Sequence, residues 1–211
     1  MRFCSIGSGS KGNGTLVQHD ETIVLIDDGF SLKDMEFRLA QKGLTPLQLT
    51  GILVTHEHGD HIKGVGPLAR KYRIPVYVSH GTAQHEGLGK IPSLKIIDSH
   101  ESFMIGSLKI TPVVVPHDAR EPTQFVISNG EFKFGILTDL GSFTPHIIAQ
   151  YQSCHGLMLE TNHDEKMLSY GPYPPKLKVR VAGNLGHLNN SQAGEFLKHV
   201  DCEKLQHVVA T

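Results

Sequence analysis

The feature that most constrains this chain is the eight-residue segment Val54–His61, which reads VTHEHGDH. Four potential metal ligands fall within six residues of it, namely His56, His58, Asp60 and His61. Imidazole and carboxylate groups are ligands for divalent metals of borderline softness. The apolar run Gly51–Val54 leads into the segment and predicts a strand that ends where the ligands begin.

The spacing of these ligands favours two neighbouring metal ions over one. Side chains two residues apart project to the same side of an extended backbone, so His56 and His58 can serve one ion. Gly59 allows a sharp turn, after which Asp60 and His61 can serve a second ion. A histidine-rich surface loop is the alternative interpretation, which the preceding strand and the turn glycine disfavour.

Length and charge limit the kinds of partner that this chain can have. Its 211 residues suffice for one domain with a sizeable core, and we expect a single domain over residues 1–211. Hydrophobic residues make up 39% and charged residues 19%, which is typical of a globular protein. The formal net charge of −1 excludes a general basic field, so a nucleic-acid partner would have to meet a local basic patch.

The cysteines and the N-terminus indicate a cytoplasmic protein. Three cysteines far apart imply neither a disulfide framework nor a cysteine-type zinc site. Residues 1–20 lack the basic start and apolar core of a secretory signal, and no apolar run approaches the roughly 20 residues of a membrane span. We therefore predict no membrane partner.

Successive runs of strands with helices between them predict a sandwich of sheets covered by helices. We expect a helix that begins after Ser31 and ends at Gly43, a hairpin around Asn129-Gly130, and a strand or strand-like loop over residues 176–181. The other predicted strands are residues 2–6, 15–19, 22–27, 52–54, 75–79, 95–98, 108–115, 156–160 and 205–210. The other predicted helices are residues 60–72, 82–87, 144–151 and 191–200.

Acid or histidine repeatedly follows an apolar strand, at Asp27, His56, His117, Asp139 and His163. Strand ends that converge on one rim would make a shared site. The glycine- and serine-rich loop 7–14 lacks the spacing of a phosphate-binding loop, so we expect it to line that site instead.

A set of cationic side chains could contact nucleic acid. Lys176, Lys178 and Arg180 share one face if their segment is extended, and such a stripe could follow a phosphate backbone. A solvated strand face is an equally good interpretation. Lys11 is a weaker candidate for a phosphate contact.

The pattern His56-x-His58-x-Asp60-His61, followed by His117 and Asp139, resembles the metallo-β-lactamase superfamily over nearly the whole chain. The resemblance implies a four-layer αββα sandwich of the α/β class with a binuclear metal site. It implies that His56, His58 and His117 hold one ion, that Asp60 and His61 hold the second, and that Asp139 bridges them. Asp27 matches the acid that braces the histidine loop in this superfamily.

Further motifs are similar to those of the bacterial WalJ/YycJ (VicX) family: Ser8–Asn13, Pro116–Ala119, Leu137–Gly141, Leu159–Asp164 and Gly186–Asn190. This resemblance implies a metal-dependent DNA exonuclease that acts from the 5′ end. Chains of that family carry one more histidine beyond the strand that residues 205–209 resemble. We therefore expect the C-terminal part of the fold, with the last ligand of the second ion, to be missing here.

The predicted function is a metal-dependent phosphodiesterase, most simply a 5′-to-3′ exodeoxyribonuclease acting on nucleic acid, with DNA preferred to RNA. Two divalent ions, zinc or manganese in the first place and iron as a third option, would activate water. The predicted catalytic residues are Asp60, Asp139, His163 and His187, the last two as a phosphate contact or proton donor. A hydrolase of small esters, thioesters or amides and a non-catalytic metal-binding protein are the alternatives.

Overall fold

A computed structural model describes residues 1–211, and the chain divides into two compact units. The first unit comprises Met1–Ile110 and Ala119–Thr123, and the second comprises Thr111–Asp118 and Gln124–Thr211. The motif around His56 thus belongs to the first unit, whereas His117 and Asp139 belong to the second.

A mixed six-stranded sheet forms the frame of the first unit, with its strands in chain order. They are β1 Arg2–Gly7, β2 Gly14–His19, β3 Thr22–Ile26, β4 Gly51–Leu53, β5 Val76–Ser79 and β6 Leu94–Ile97. Pairing is antiparallel from β1 to β3 and parallel from β3 to β6. Ile26 pairs with Leu53, so β3 and β4 end side by side, and the residues that follow both strands meet at one edge.

Helices cover this sheet and bury an apolar core against it. They are α1 Leu32–Ala40, α2 Gly59–Ile62, α3 Val65–Tyr72 and α4 His80–Ala83. Met35 and Leu39 of α1 and Leu68 of α3 are fully buried in one cluster with Leu25 and Val76 of the sheet. Each such side chain contributes about 1.5–3 kcal/mol relative to an exposed one, which holds the helices and the strand ends in place.

A second mixed sheet has the strand order β12-β11-β10-β9-β8-β7. The strands are β7 Phe103–Ile105, β8 Leu108–Val114, β9 Thr123–Ser128, β10 Lys133–Leu137, β11 Gly156–Leu159 and β12 His207–Ala210. In the second unit, β10 pairs antiparallel with β9 and parallel with β11, and β11 pairs parallel with β12. Leu137 pairs with Leu159, so Asp139 and Glu160 follow neighbouring strand ends.

Four helices belong to the second unit: α5 Pro145–Gln150, α6 Glu165–Tyr170, α7 Pro175–Ala182 and α8 Asn190–His199. Tyr151 after α5 and Phe196 of α8 are buried in one cluster with Leu137 and Leu157 of the sheet. In α6 and α7 only Leu168 and Val181 are buried, so these two helices present most of their surface to solvent. None of the eight helices combines the length and the apolar character of a membrane-spanning segment.

Most predicted elements are present within one or two residues of their predicted bounds. Ser31 caps α1 by accepting a hydrogen bond from the Asp34 amide, and Thr144 caps α5 in the same way. The predicted helix 60–72 is instead two helices, because the chain turns at Lys63–Gly64 between α2 and α3. The helix predicted at 82–87 is likewise replaced by α4 and a short 3-10 turn over Glu86–Leu88.

The strand predicted at residues 176–181 is wrong, because the segment forms helix α7. Its alternating pattern resembled a strand, but Pro175 occupies the first helical position, where its missing amide hydrogen costs nothing. In a helix Lys178 points away from Lys176 and Arg180, so the three cations do not form one stripe. Strand β7 and helix α6 were not predicted.

Candidate metal centre

The motif of the first unit brings three imidazole rings together at the end of β4. His56 Nε2 lies 2.9 Å from His58 Nδ1, and the ring centroids of His56 and His61 are 4.1 Å apart. His56 and His61 are each 1% exposed. Imidazole rings that converge at such distances suit a shared cation, and this packing supports the ligand roles predicted for these histidines.

Asp27 fixes the orientation of His61 and of the loop before it. Its Oδ2 lies 2.8 Å from His61 Nδ1 and accepts a 2.7 Å bond from the Thr55 hydroxyl, while Oδ1 accepts a 2.8 Å bond from the Thr55 amide. The prediction that Asp27 braces the histidine loop is confirmed. With Nδ1 bonded to a carboxylate, His61 keeps its Nε2 lone pair for a metal ion.

Asn13 joins the two residues that were predicted to hold the second ion. Its Nδ2 lies 3.0 Å from His61 Nε2 and 3.3 Å from Asp60 Oδ2, and these two acceptor atoms are 3.8 Å apart. The side-chain NH2 group of Asn13 thus contacts both acceptor atoms, as a cation would. The Asn13 backbone amide also donates to the Asp60 carbonyl at 2.8 Å, so the loop 7–14 does line the site.

Two further acids in this unit, Glu57 and Asp28, are buried. Glu57 accepts from the Arg120 amide at 2.7 Å and from the Thr82 hydroxyl at 3.2 Å, so it anchors the motif loop. Burial raises the pKa of Asp28 to about 7, and only one of its oxygens accepts a hydrogen bond, from the Phe30 amide at 3.1 Å. Neither residue was singled out from the sequence.

The predicted ligands of the second unit lie beside an unpredicted carboxylate. His117 is buried, its Nδ1 lies 3.1 Å from the Gly186 carbonyl, and its Nε2 lies 3.5 Å from Asp118 Oδ1. Asp139, Glu160 and His187 each offer a ligand atom within 4.8 Å of the other two. Glu160 therefore belongs to this group, and the signal that could have shown it is its place directly after strand β11.

Glu160 holds His187 in a fixed position. Its Oε1 lies 2.6 Å from His187 Nδ1, and its Oε2 accepts from the Leu140 amide at 3.0 Å and the Leu188 amide at 3.1 Å. Burial raises the pKa of Glu160, against the hydrogen bond from His187. Burial lowers the pKa of His187, but the hydrogen bond and charge of Glu160 outweigh it, and the net shift is upward. Glu160 thus orients Nδ1 of His187 and favours the protonated form of the ring.

His163 occupies a less constrained position than His187. Its backbone forms an isolated bridge with Asn189, and its Nδ1 lies 3.3 Å from the side-chain oxygen of Asn162. Burial, and then the neighbouring His187, lowers the pKa of its ring. The neutral imidazole that this favours can donate one hydrogen bond, to a phosphate oxygen for example.

Arg180 is committed to an ion pair rather than to a free basic surface. Its guanidinium donates twice to the Asp118 carboxylate, from Nε at 2.5 Å and from Nη2 at 3.1 Å. Asp118 directly follows His117, so this bidentate pair ties helix α7 to the residue beside a predicted ligand.

Known proteins resemble the chain over most of its length. It matches the model of the beta-lactamase superfamily domain over residues 22–208. It is 35% identical to exodeoxyribonuclease YycJ of Bacillus anthracis, over 99% of this chain and 80% of that protein. It is 34% identical to exodeoxyribonuclease WalJ of Streptococcus pneumoniae, over 93% of this chain and 76% of that protein.

The fold likewise has a counterpart among solved structures. The metallo-beta-lactamase fold protein YhfI of Bacillus subtilis superposes with a TM-score of 0.74, over 99% of this chain and 85% of that one. At 18% identity this likeness concerns the fold alone.

Proposed function

The chain belongs to the beta-lactamase superfamily, and from this premise we propose that it is a metal-dependent phosphodiesterase that removes nucleotides from the 5′ end of DNA. Its two mixed sheets flanked by helices are the αββα sandwich of that superfamily. Similarity to two exodeoxyribonucleases over more than nine-tenths of the chain supports nucleic acid as the substrate. Preference for DNA over RNA is part of the proposal.

The observation that carries the proposal is the arrangement of His56, His58, Asp60 and His61 around the end of β4. Three imidazoles converge there, and Asp60 shares the amide of Asn13 with His61, so the donor set fits divalent cations. We assign His56, His58 and His117 to one ion, Asp60 and His61 to a second, and Asp139 to both. The motif order of the superfamily supports the parts of His117 and Asp139.

Two divalent ions, when bound, supply an activated water and neutralise charge on the phosphoryl oxygens. The residues of the chain position the groups around them. Asp27 keeps His61 in one orientation, and Glu160 keeps His187 in one orientation with a proton on its ring. We propose that His187 keeps Nδ1–H on Glu160 and passes the proton of Nε2 to the leaving oxygen, which leaves a neutral ring, and that His163 donates a hydrogen bond to a substrate phosphate. Zinc or manganese is the proposed metal, with iron as the third option.

The test is cleavage of single-stranded and duplex DNA that carries a fluorophore at the 5′ or the 3′ end. We expect release of short products from the 5′-labelled strand, activity with zinc or manganese, and none with excess chelator. RNA of the same sequence should be cleaved more slowly. Release from the 3′ label first would contradict the proposed polarity.

The same preparation separates the alternatives. Hydrolysis of thioesters or lactams without hydrolysis of DNA or bis-p-nitrophenyl phosphate would favour a small-molecule hydrolase. Metal binding without hydrolysis of any of these substrates would favour a metal-binding protein. A single domain and a cytoplasmic location remain predictions from the sequence.

A further inference from the structure

Apolar side chains are exposed in one short part of the chain far more than elsewhere. Five of the eleven large hydrophobic side chains that are exposed lie between residues 167 and 185. They are Met167 at 76%, Tyr170 at 88%, Tyr173 at 54%, Val179 at 73% and Leu185 at 54% exposure. We refer to helices α6 and α7 with these five side chains as the α6–α7 face. Clustered exposed apolar groups mark binding surfaces, whereas scattered ones need no explanation.

The segment between Asn162 and Asn190 carries this face, and its two ends lie side by side. The Asn162 amide donates to the Leu188 carbonyl at 3.1 Å, and the Asn190 amide donates to the His163 carbonyl at 2.9 Å. The segment therefore begins and ends beside His163 and His187, the two residues proposed to contact the substrate. The ion pair between Arg180 and Asp118 holds α7 at a third point.

The α6–α7 face is more cationic than the chain as a whole. Residues 164–188 contain four cationic side chains against two acidic ones, in a chain of net charge −1. Lys166 and Lys176 are exposed and have no carboxylate partner, and the Lys178 ammonium donates only to the Ser169 carbonyl, at 2.6 Å. Both acids are engaged, since Asp164 caps α6 and Glu165 accepts from the Asn189 side chain at 2.7 Å.

The loop between the helices presents an aromatic ring with little freedom. Tyr173 stands in the sequence Gly171-Pro172-Tyr173-Pro174-Pro175. Each proline fixes its own backbone and restricts the residue before it, so less conformational entropy is lost when a ligand contacts the tyrosine. Tyr170 follows Met167 by three residues, which places both on one side of α6.

We infer that the α6–α7 face is a platform for single-stranded nucleic acid, on which unpaired bases stack against Tyr170 and Tyr173 while the free ammonium groups contact phosphates. Exposed aromatic rings beside unpaired lysines are the features by which proteins bind single strands. A duplex would not use the rings, because its bases are stacked on one another. The inference rests on the proposed function, for which it names the strand form of the substrate and a route to the site.

The test measures binding without turnover. A fluorescein-labelled oligo-dT of 20 nucleotides is titrated with the protein in EDTA, and fluorescence anisotropy gives the dissociation constant. We expect Tyr170→Ala and Tyr173→Ala each to weaken binding by about tenfold. Tyr170→Phe and Tyr173→Phe keep an aromatic face and should bind like the wild type. Phe37→Ala is the matched control, since Phe37 is 60% exposed but lies on α1 of the first unit.

Two further measurements test the role of the lysines and the integrity of the metal centre. Lys176→Gln should lower the slope of log Kd against log salt by about 0.7, the value for one phosphate contact on a single strand. Hydrolysis of bis-p-nitrophenyl phosphate should be unchanged in every variant, because that substrate has no bases to stack.

The outcomes separate the platform from the proposed function. Wild-type oligonucleotide binding by both alanine variants would overturn the platform, even if DNA is hydrolysed. A loss of blunt-duplex binding in the alanine variants as large as their loss of oligo-dT binding would overturn it as well, because the rings would then not act on unpaired bases. A dimer that the alanine changes dissociate, with no oligonucleotide binding, would make the face a contact between copies of this chain. Tyrosine-dependent binding without any phosphodiester hydrolysis would retain the platform and reject the proposed function.

Discussion

Oδ2 of Asp27 lies 2.8 Å from Nδ1 of His61, although the two residues are 34 positions apart in the chain. The contact exists because β3 and β4 end side by side and Asp27 takes a left-handed backbone conformation, with φ of +61°. That conformation turns the chain sharply after β3, and three of the hydrogen bonds that Asp27 accepts come from Thr55 and His61. The position of His61 therefore depends on a residue outside the motif.

We predict that Asp27→Asn weakens metal binding by about 10- to 100-fold, the usual effect of removing a carboxylate that orients a ligating histidine. Asparagine adopts positive φ as readily as aspartate, so the substitution removes the charge and keeps the backbone. Competition for zinc against a chromogenic chelator measures the affinity. Asp20→Asn is the control, since Asp20 also has a positive φ, of 48°, but lies exposed in the β2–β3 turn. Equal zinc affinity in Asp27→Asn and wild type would contradict the prediction.

We predict that His58→Ala and Asp139→Ala each lower hydrolysis of bis-p-nitrophenyl phosphate by more than about 100-fold while the protein stays folded. Both side chains are partly exposed, so their removal leaves the two apolar cores intact. Circular dichroism and the urea midpoint check the fold. Wild-type rates in either variant would reject a mechanism with two metal ions.

The sequence predicted the ligand-bearing loops because each directly follows an apolar strand, and strand patterns are local. The hairpin around Asn129-Gly130 and the caps Ser31 and Thr144 were predicted for the same reason, since a few neighbouring residues determine each of them. The buried brace Asp27 was identified through the family pattern. Glu160, Glu57 and Asn13 were missed as contacts because their partners lie 20 to 63 positions away in the chain.

In residues 165–182 the local pattern itself predicted the wrong secondary structure. Their helices bury only Leu168 and Val181, so few contacts with the apolar core accompany them. The alternation of lysine with leucine and valine after Pro175 then resembled a strand. Patterns of apolar residues predict secondary structure when those residues pack into a core. In this segment most apolar side chains face solvent, so the pattern predicted a strand where the structure has helix α7.

We predict that Glu160→Gln lowers kcat on the DNA substrate by about tenfold or more and changes KM little, because proton transfer by a positioned side chain contributes about 10²–10⁴-fold. The amide can still accept from the Leu140 and Leu188 amides, but it then presents hydrogens to His187 Nδ1. The pH profile of kcat should lose the limb that reports His187. Glu131→Gln, at an exposed position in the β9–β10 turn, is the control. A profile identical to the wild type would show that Glu160 has a purely structural role.

Cys154 and Cys202 should differ sharply in reactivity. Cys154 is 3% exposed, and burial raises the pKa of its thiol to about 11, so at pH 8 about 0.1% is in the reactive thiolate form. Cys202 is exposed. We predict that a disulfide reagent labels Cys202 within minutes and Cys154 only after unfolding, as measured by mass spectrometry of tryptic peptides. Rapid labelling of Cys154 in the native protein would contradict the burial on which the prediction depends.

The two glycines nearest to Asp60 should respond in opposite ways to alanine. A Cβ at Gly29 would lie 1.7 Å from the Asp60 carbonyl oxygen and 2.8 Å from the Asn13 amide nitrogen, and both are backbone atoms that side-chain motion cannot move aside. A Cβ at Gly59 would have no atom within 4 Å, and Gly59 starts helix α2 without a positive φ. The turn predicted at Gly59 therefore needs no glycine.

We predict that Gly29→Ala lowers the free energy of unfolding by about 1–3 kcal/mol and lowers the zinc content, because the Asp60 loop must shift. Gly59→Ala should leave both values unchanged or raise the stability slightly, since alanine is favoured over glycine in a helix. Urea titrations followed by fluorescence or circular dichroism give the free energies, and atomic emission gives the metal content. A larger loss of stability and metal in Gly59→Ala than in Gly29→Ala would contradict the prediction. It would show that the close approach of Gly29 to Asp60 does not position this half of the metal centre.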